Sequence, residues 1–376
     1  MQLLIVPDSF KESLPAIEVA SAIERGIKRV NKNLKVKCLP FSDGGEGALT
    51  ILKKHARGNR ISCNTVDPIG QPITADYFLF KDQSTAWIEL SQASGLALLK
   101  AQDRKPCITS TFGTGMQIKH AIEQGCSKII LGIGGSATND AGAGIFQALG
   151  GQLLDKNGND LKKGGAGLAT LDKIILPKGL ERIQWEIACD VANPLLGPQG
   201  ASIIYGPQKG ATQKEIKELD ASLAHFSTCI KKQLNHNIDK IAGGGAAGGT
   251  AAGMLAFFNA QLTPGFNLMA QLLDLEEEIQ KSTLVFTAEG KIDSQSLQGK
   301  VPVGVARLAK KHNTPCIGLM GAIEGSITAL YQEGFSGIFS IQNGPMSLEV
   351  SKANTARLLE DTAQRVFAYH QNIHTL

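Results

Sequence analysis

Aromatic residues are scarce, at 5% of 376 positions, and no run of basic or acidic residues stands out. Lys and Arg number 38 against 34 Asp and Glu, a formal net charge of +4. No basic stripe is interleaved with aromatics, so nucleic acid is not expected as a partner. The small positive excess suits an anionic small molecule instead. The seven cysteines are scattered, odd in number and free of any C-x-x-C pair. That pattern argues against a disulfide framework or a zinc site and fits reduced, mostly buried thiols in the cytoplasm. No basic leader with a long apolar run opens the chain. Residues 241–258 lack charge, but they are mostly Gly and Ala and have too little apolar surface to span a bilayer. A buried glycine-rich turn and helix is expected there, and no membrane partner. The histidines form no catalytic set: neither a Ser-His-Asp order nor H-E-x-x-H is present.

Glycine is abundant, with 42 residues gathered in short runs. Such runs mark backbone positions that need a left-handed conformation or close approach to something. The length predicts two domains. At the start, QLLIV reads as a strand and Ser13–Val30 as an amphipathic helix with Ser13 or Ser9 as its cap. Strands at 34–38 and 60–65 flank a helix at 46–56, a rhythm that implies a parallel sheet. A hairpin follows at 73–80 and 85–90. Helices are then expected at 110–123, 138–149 and 212–234, with strands at 127–131 and 185–189. The strand–helix rhythm resumes near Thr283, with helices at 301–311 and 347–367. The fold class is α/β: a doubly wound parallel-sheet (Rossmann-like) domain built from both chain ends, 1–68 and 282–376, with a mixed α/β domain inserted at 69–281.

Six loops carry candidate chemistry. After the strand at 128–131 the chain reads GIGGSATND. Backbone N–H groups of a glycine turn entering a helix favour anions. Gly134, Gly135, Ser136, Thr138 and Asn139 are therefore candidate phosphate ligands, and Asp140 a candidate metal ligand. Gly132-x-Gly134-x-x-Ala137 also fits the dinucleotide fingerprint loosely, with Asp155 as a ribose acid; a plain strand-to-helix turn is the structural alternative. Asp8, Ser9 and Lys11 follow the first strand, where open α/β sheets bind ligands. Asp43 and Glu46 lie in a glycine turn suited to Mg²⁺ or substrate hydroxyls. Glu289, Asp293 and Lys300 follow the strand TLVFTA and suit acid–base work and phosphate contact. Asp190, at the end of the strand WEIACD, is a candidate metal or base residue, with an Asx turn before Pro194 as its bland alternative. The glycines of GGGAAGG at 243 let a backbone approach a ligand or let two elements pack tightly.

Seven runs occur in one order along nearly the whole chain: PDSFKESL at 7, SDGGEG at 42, GIGGSATNDAGAG at 132, DVANPLLG at 190, GPQKGA at 206, GGGAAGG at 243 and EGKIDSQSLQGKVPVGVA at 289. Together they resemble the bacterial-type glycerate kinase family (type 1). Glu12 stands where that family commonly has Gly, and Ala288 where Gly is usual before Glu289.

The resemblance implies ATP-dependent phosphorylation of D-glycerate, with 2-phosphoglycerate favoured over 3-phosphoglycerate, and an active cleft between two α/β domains. In that frame the turn at 134–139 cradles ATP phosphates, and Asp43, Asp140 and Asp190 are candidates for Mg²⁺. Lys11 and Lys300 offset phosphate or carboxylate charge. Asp8, Ser9, Asp43, Glu46 and Glu289 contact substrate. Asp293 is the first choice as base, Asp190 the second. A cytoplasmic monomer or homodimer is expected. The rival readings are an NAD-dependent oxidoreductase, which the loose fingerprint suggests, and a non-enzymatic hydroxy-acid binding protein.

Overall fold

The computed structural model describes residues 2–45, 47–293, 296–297 and 300–373. Its strands are β1 (Gln2–Pro7), β2 (Lys35–Cys38), β3 (Gly58–Val66), β4 (Pro72–Phe80), β5 (Thr85–Glu89), β6 (Lys128–Gly132), β7 (Gln152–Leu154), β8 (Lys173–Ile175), β9 (Gln184–Ala188), β10 (Gln261–Thr263), β11 (Leu284–Ile292), β12 (Cys316–Ile323) and β13 (Phe335–Ser340). The chain divides into two compact units, Met1–Asp43 with Phe266–Leu376, and Gly44–Gly265.

The first unit holds a five-stranded parallel sheet in the order β13-β12-β11-β1-β2. β1 and β11 are almost continuously buried, as expected when helices cover both faces of a parallel sheet. Helices Ala16–Val30 and Thr355–Ile373 pack together, and Val19, Ile23 and Leu358 share one core with Leu3, Ile5 and Phe286 of the sheet. From β1 the chain proceeds to β2 on one side; from β11 it proceeds to β12 and β13 on the other. The carboxyl ends of β1 and β11 therefore flank the topological switch point, where sheets of this type bind ligands.

Ser13 does not cap the first helix. Pro15 occupies the N-cap position without a side-chain bond, while the Ser13 hydroxyl donates to the Lys352 carbonyl at 2.8 Å and pairs with Thr355 Oγ1 at 2.7 Å. The expected final helix is two helices, Leu348–Ala353 and Thr355–Ile373, interrupted at Asn354.

The second unit holds a mixed six-stranded sheet in the order β10-β9-β6-β5-β4-β3. β10, β9, β6 and β5 run parallel, and β4 and β3 continue the sheet antiparallel. The third strand was expected in the first sheet; instead it pairs along its whole length with β4. That pairing places β3 in the second unit; the units divide at Asp43/Gly44 and Gly265/Phe266, where 68/69 and 281/282 were expected. The hairpin itself forms as predicted. The glycine-rich 241–258 segment leads into a helix at Thr250–Phe258 that is buried along most of its length. Among the described residues no helix is long and apolar enough to cross a membrane. All seven cysteines are free.

Candidate active site

At the switch point of the first unit, three carboxylates and two lysines gather. Asp8 follows β1 and fixes its turn by accepting from the Ser9 N–H at 2.6 Å. Burial, reinforced by the negative charges of Asp43 and Glu289, pushes its carboxyl up to about 7, despite the Ser9 N–H and Lys11, which lower it. Glu289 lies in β11 and is also pushed up by burial, although Lys300 and Lys11 oppose the shift. Its Oε1 sits 3.2 Å from Lys300 Nζ, while the buried Oε2 has no hydrogen-bond partner. A buried acceptor without a partner is costly, so a bound group there would recover lost free energy. Lys300 holds the N-cap position of helix Val301–Lys311, beyond the end of β11. A cavity of ≈260 Å³ opens beside these groups, with Ser9, Lys11, Glu289, Lys291, Lys300 and Lys352 in its wall.

Asp293 behaves differently. Burial raises its carboxyl, but Lys300, the Ser296 hydroxyl and N–H, and Lys291 outweigh it and hold Asp293 below the ordinary value. It is thus a strongly ionised carboxylate and a weak proton acceptor at neutral pH. Glu46 lies outside the described residues.

In the second unit, β5, β6 and β9 end side by side, with Glu89 opposite Gly132 and Gly132 opposite Ala188. The turn after β6 does not run straight into a helix. It continues to Gly142, and the helix covers only Ala143–Ala148 rather than the expected 138–149. The dinucleotide reading requires a helix start close behind the glycines, so the geometry does not support it. Asp155 instead closes a hairpin turn by accepting from the Asn157 and Asn159 N–H groups at 2.8 and 2.9 Å.

The turn is pinned at alternate points. Leu96 N–H donates to the Gly135 carbonyl at 2.8 Å, Ala137 N–H to the Ser94 carbonyl at 2.9 Å, and the Thr109 hydroxyl to the Ala137 carbonyl at 2.7 Å. Among the described residues, no protein acceptor meets the backbone N–H of Gly134, Gly135, Ser136, Thr138 or Asn139. The buried Thr138 Oγ1 and Asn139 Oδ1 are likewise unpartnered. Gly135 has φ +69°, which a side chain would strain. A pinned turn with unclaimed N–H donors has the features that favour an anion.

Asp140 points away from this role. It is fully buried and accepts from the Thr111 N–H at 2.8 Å, the Thr111 hydroxyl at 2.9 Å, and the Gly142 and Gly144 N–H groups at 3.3 Å. With its oxygens occupied by the protein's own donors, it anchors the loop and leaves the expected metal set. Asp190 is exposed beyond β9 and accepts from the Gly265 N–H at 2.9 Å. Among the described residues, no group of three or more His, Cys, Asp or Glu is arranged to hold a metal ion.

The GGGAAGG run takes the packing role. A Cβ at Gly248 would stand 2.1 Å from the Thr138 carbonyl, and one at Gly253 1.8 Å from that of Ala141. Two polar residues escaped the sequence reading. Glu89, buried at the end of β5, accepts from the Leu49 N–H at 2.5 Å. Its signal was a charge ending an otherwise apolar strand. Lys209, inside the GPQKGA run, is fully buried beneath the glycine turn.

The model of the glycerate kinase family matches residues 3–371. The chain belongs to the glycerate kinase family. It is 42% identical over 367 residues to a glycerate kinase of Halalkalibacterium halodurans, covering 97% of each chain. It is 44% identical over 344 residues to the glycerate 2-kinase of Escherichia coli, covering 91% of this chain and 90% of that one. A crystal structure assigned as a glycerate kinase 2 from Salmonella typhimurium LT2 superposes with a TM-score of 0.87 at 42% identity, with all of both chains covered. The resemblance drawn from the seven runs is thereby borne out, as is the α/β class, and the chain is placed among the kinases.

Proposed function

We propose that this kinase moves the terminal phosphoryl group of ATP to the 2-hydroxyl of D-glycerate, with Mg²⁺ as the assisting ion. The observation that carries the nucleotide half is the set of unclaimed N–H groups from Gly134 to Asn139. The 2-hydroxyl follows the relative named glycerate 2-kinase.

ATP supplies the phosphoryl group, and Mg²⁺ offsets its negative charge. The donor set fits such an ion: Mg²⁺ usually keeps several waters and needs only one or two carboxylates beside phosphate oxygens. Asp190, which lies in the same unit as the glycine turn, is the acid proposed to hold it, directly or through water. The glycine turn orients phosphate oxygens. Lys11 and Lys300 face the cavity beside β1 and β11 and take the glycerate carboxylate, with Ser9 and Glu289 directing its hydroxyls. A general base works best with a pKa near the operating pH, which favours Asp8 over Asp293. Asp8 accepts the proton of the attacking hydroxyl, and Asp293 keeps Lys300 and Lys291 in place.

The test is a coupled assay with ATP, Mg²⁺ and D-glycerate, with phosphorus NMR of the product. Glycerate-dependent ADP release with a 2-phosphoglycerate signal is the expected result. A 3-phosphoglycerate signal would overturn the position, and absence of turnover would overturn the reaction.

A further inference from the structure

We infer that Lys209 is the buried charge that makes the glycine turn an anion site, acting as a positioning residue for the nucleotide phosphates. This rests on the reading of the turn as a phosphate cradle. Lys209 Nζ donates to Ser136 Oγ at 2.8 Å and to the Thr138 carbonyl at 2.7 Å, both within the turn. Those two bonds bracket the turn from beneath, on residues whose own N–H groups are unclaimed.

The placement of Lys209 is built into the local chain. Pro207 starts a single 3₁₀ turn, and Gly210 ends it at φ +89°. A Cβ on Gly210 would lie 2.2 Å from the Arg104 carbonyl, so only glycine allows this exit. The structure spends a buried ammonium here, and burial of a lone charge is unfavourable. Burial lowers Lys209 to about 7, and Asp140 is the charged group that partly opposes this. Asp140 is committed to Thr111, Gly142 and Gly144, so it supplies background field and no direct bond to Lys209. A phosphate on the turn adds negative charge next to this ammonium and favours its protonated form. By linkage, nucleotide binding and Lys209 protonation strengthen each other.

The experiment measures ATP binding calorimetrically from pH 6 to pH 9 in buffers of different ionisation enthalpy, for wild type, Lys209→Met and Gly135→Ala. Wild type is expected to take up protons on binding near neutral pH and to weaken as pH rises. ATP's own ionisation works in the opposite sense. Lys209→Met is expected to bind ATP about tenfold or more weakly, the equivalent of one pKa unit of coupling, and to lose the proton uptake. The KM for D-glycerate should stay near its wild-type value. If Lys209→Met binds ATP as wild type does, with the same proton uptake, the inference is overturned. If that variant does not fold, the wild-type pH series decides alone, and no proton uptake overturns the inference. Gly135→Ala separates the underlying reading: unchanged ATP affinity in that variant means the turn is not the phosphate cradle at all.

Discussion

Two aspartates near the switch point divide by environment rather than by type. Asp8 loses water and faces Asp43 and Glu289, while the attraction of Lys300, together with Ser296 and Lys291, outweighs burial at Asp293. Asp8→Asn should therefore lower kcat by about 100-fold or more and remove an ionisation near neutral pH from the rate profile, whereas Asp293→Asn should leave that ionisation in place. Steady-state kinetics from pH 5 to pH 9 check both outcomes. A reversed pattern returns the base to Asp293. Glu12 gives a second contrast at this scale. Its φ is +60°, a conformation that favours glycine. Its side chain pairs with Lys352 at 2.6 Å on an exposed surface. Exposed ion pairs contribute little, so relief of backbone strain should dominate. Glu12→Gly should raise the thermal midpoint, and Glu12→Val should lower it.

The glycine turn proposed as the anion site is a loop held from several sides, not a helix end. The glycines of the 243–249 run and of helix Thr250–Phe258 press against the backbone of Thr138, Asn139 and Ala141 without any side chain between. A methyl group at Gly253 has no room beside the Ala141 carbonyl, and neither partner is the far end of a flexible chain. Gly253→Ala should cost about 1–3 kcal/mol of stability. Displacing the turn should also weaken ATP binding more than glycerate binding. Denaturant titration and the two KM values measure the pair of effects. Wild-type KM for ATP together with lost stability would show that the turn tolerates the shift.

Over the whole molecule, the two displaced ionisations act on stability in opposite directions. Asp8 rises from an ordinary 3.8 to about 7, so between those values the folded chain holds a proton that the unfolded chain has lost. Its contribution is fully present below 3.8 and is lost as pH rises to about 7. Lys209 falls from 10.5 to about 7, so in that window the unfolded chain holds the extra proton and stability rises with pH. Urea midpoints at pH 5, 7 and 9 should show Asp8→Asn flattening the acid side of the profile and Lys209→Met flattening the alkaline side. Unchanged slopes would mean that neither ionisation is displaced on folding.

Much of the fold was legible along the chain. The helix at 301–311 fell on its predicted residues, and the hairpin and the helix after Thr212 matched closely, because local periodicity and turn chemistry decide such elements. β3 was found as a strand but assigned to the wrong sheet. Its residues suit either partner, and pairing is settled by a contact that no local window contains. The candidate loops were visible as glycine runs with acids, in an order that already pointed to the family. By itself, then, the sequence determined the elements, the loops and the kinship. Only the tertiary structure decided which groups lose water: Asp140 turned inward onto Thr111, Lys209 sealed beneath Ser136, and Asp8 raised while Asp293 stayed low. Desolvation and field depend on everything that packs around a group, and that neighbourhood comes from distant parts of the chain.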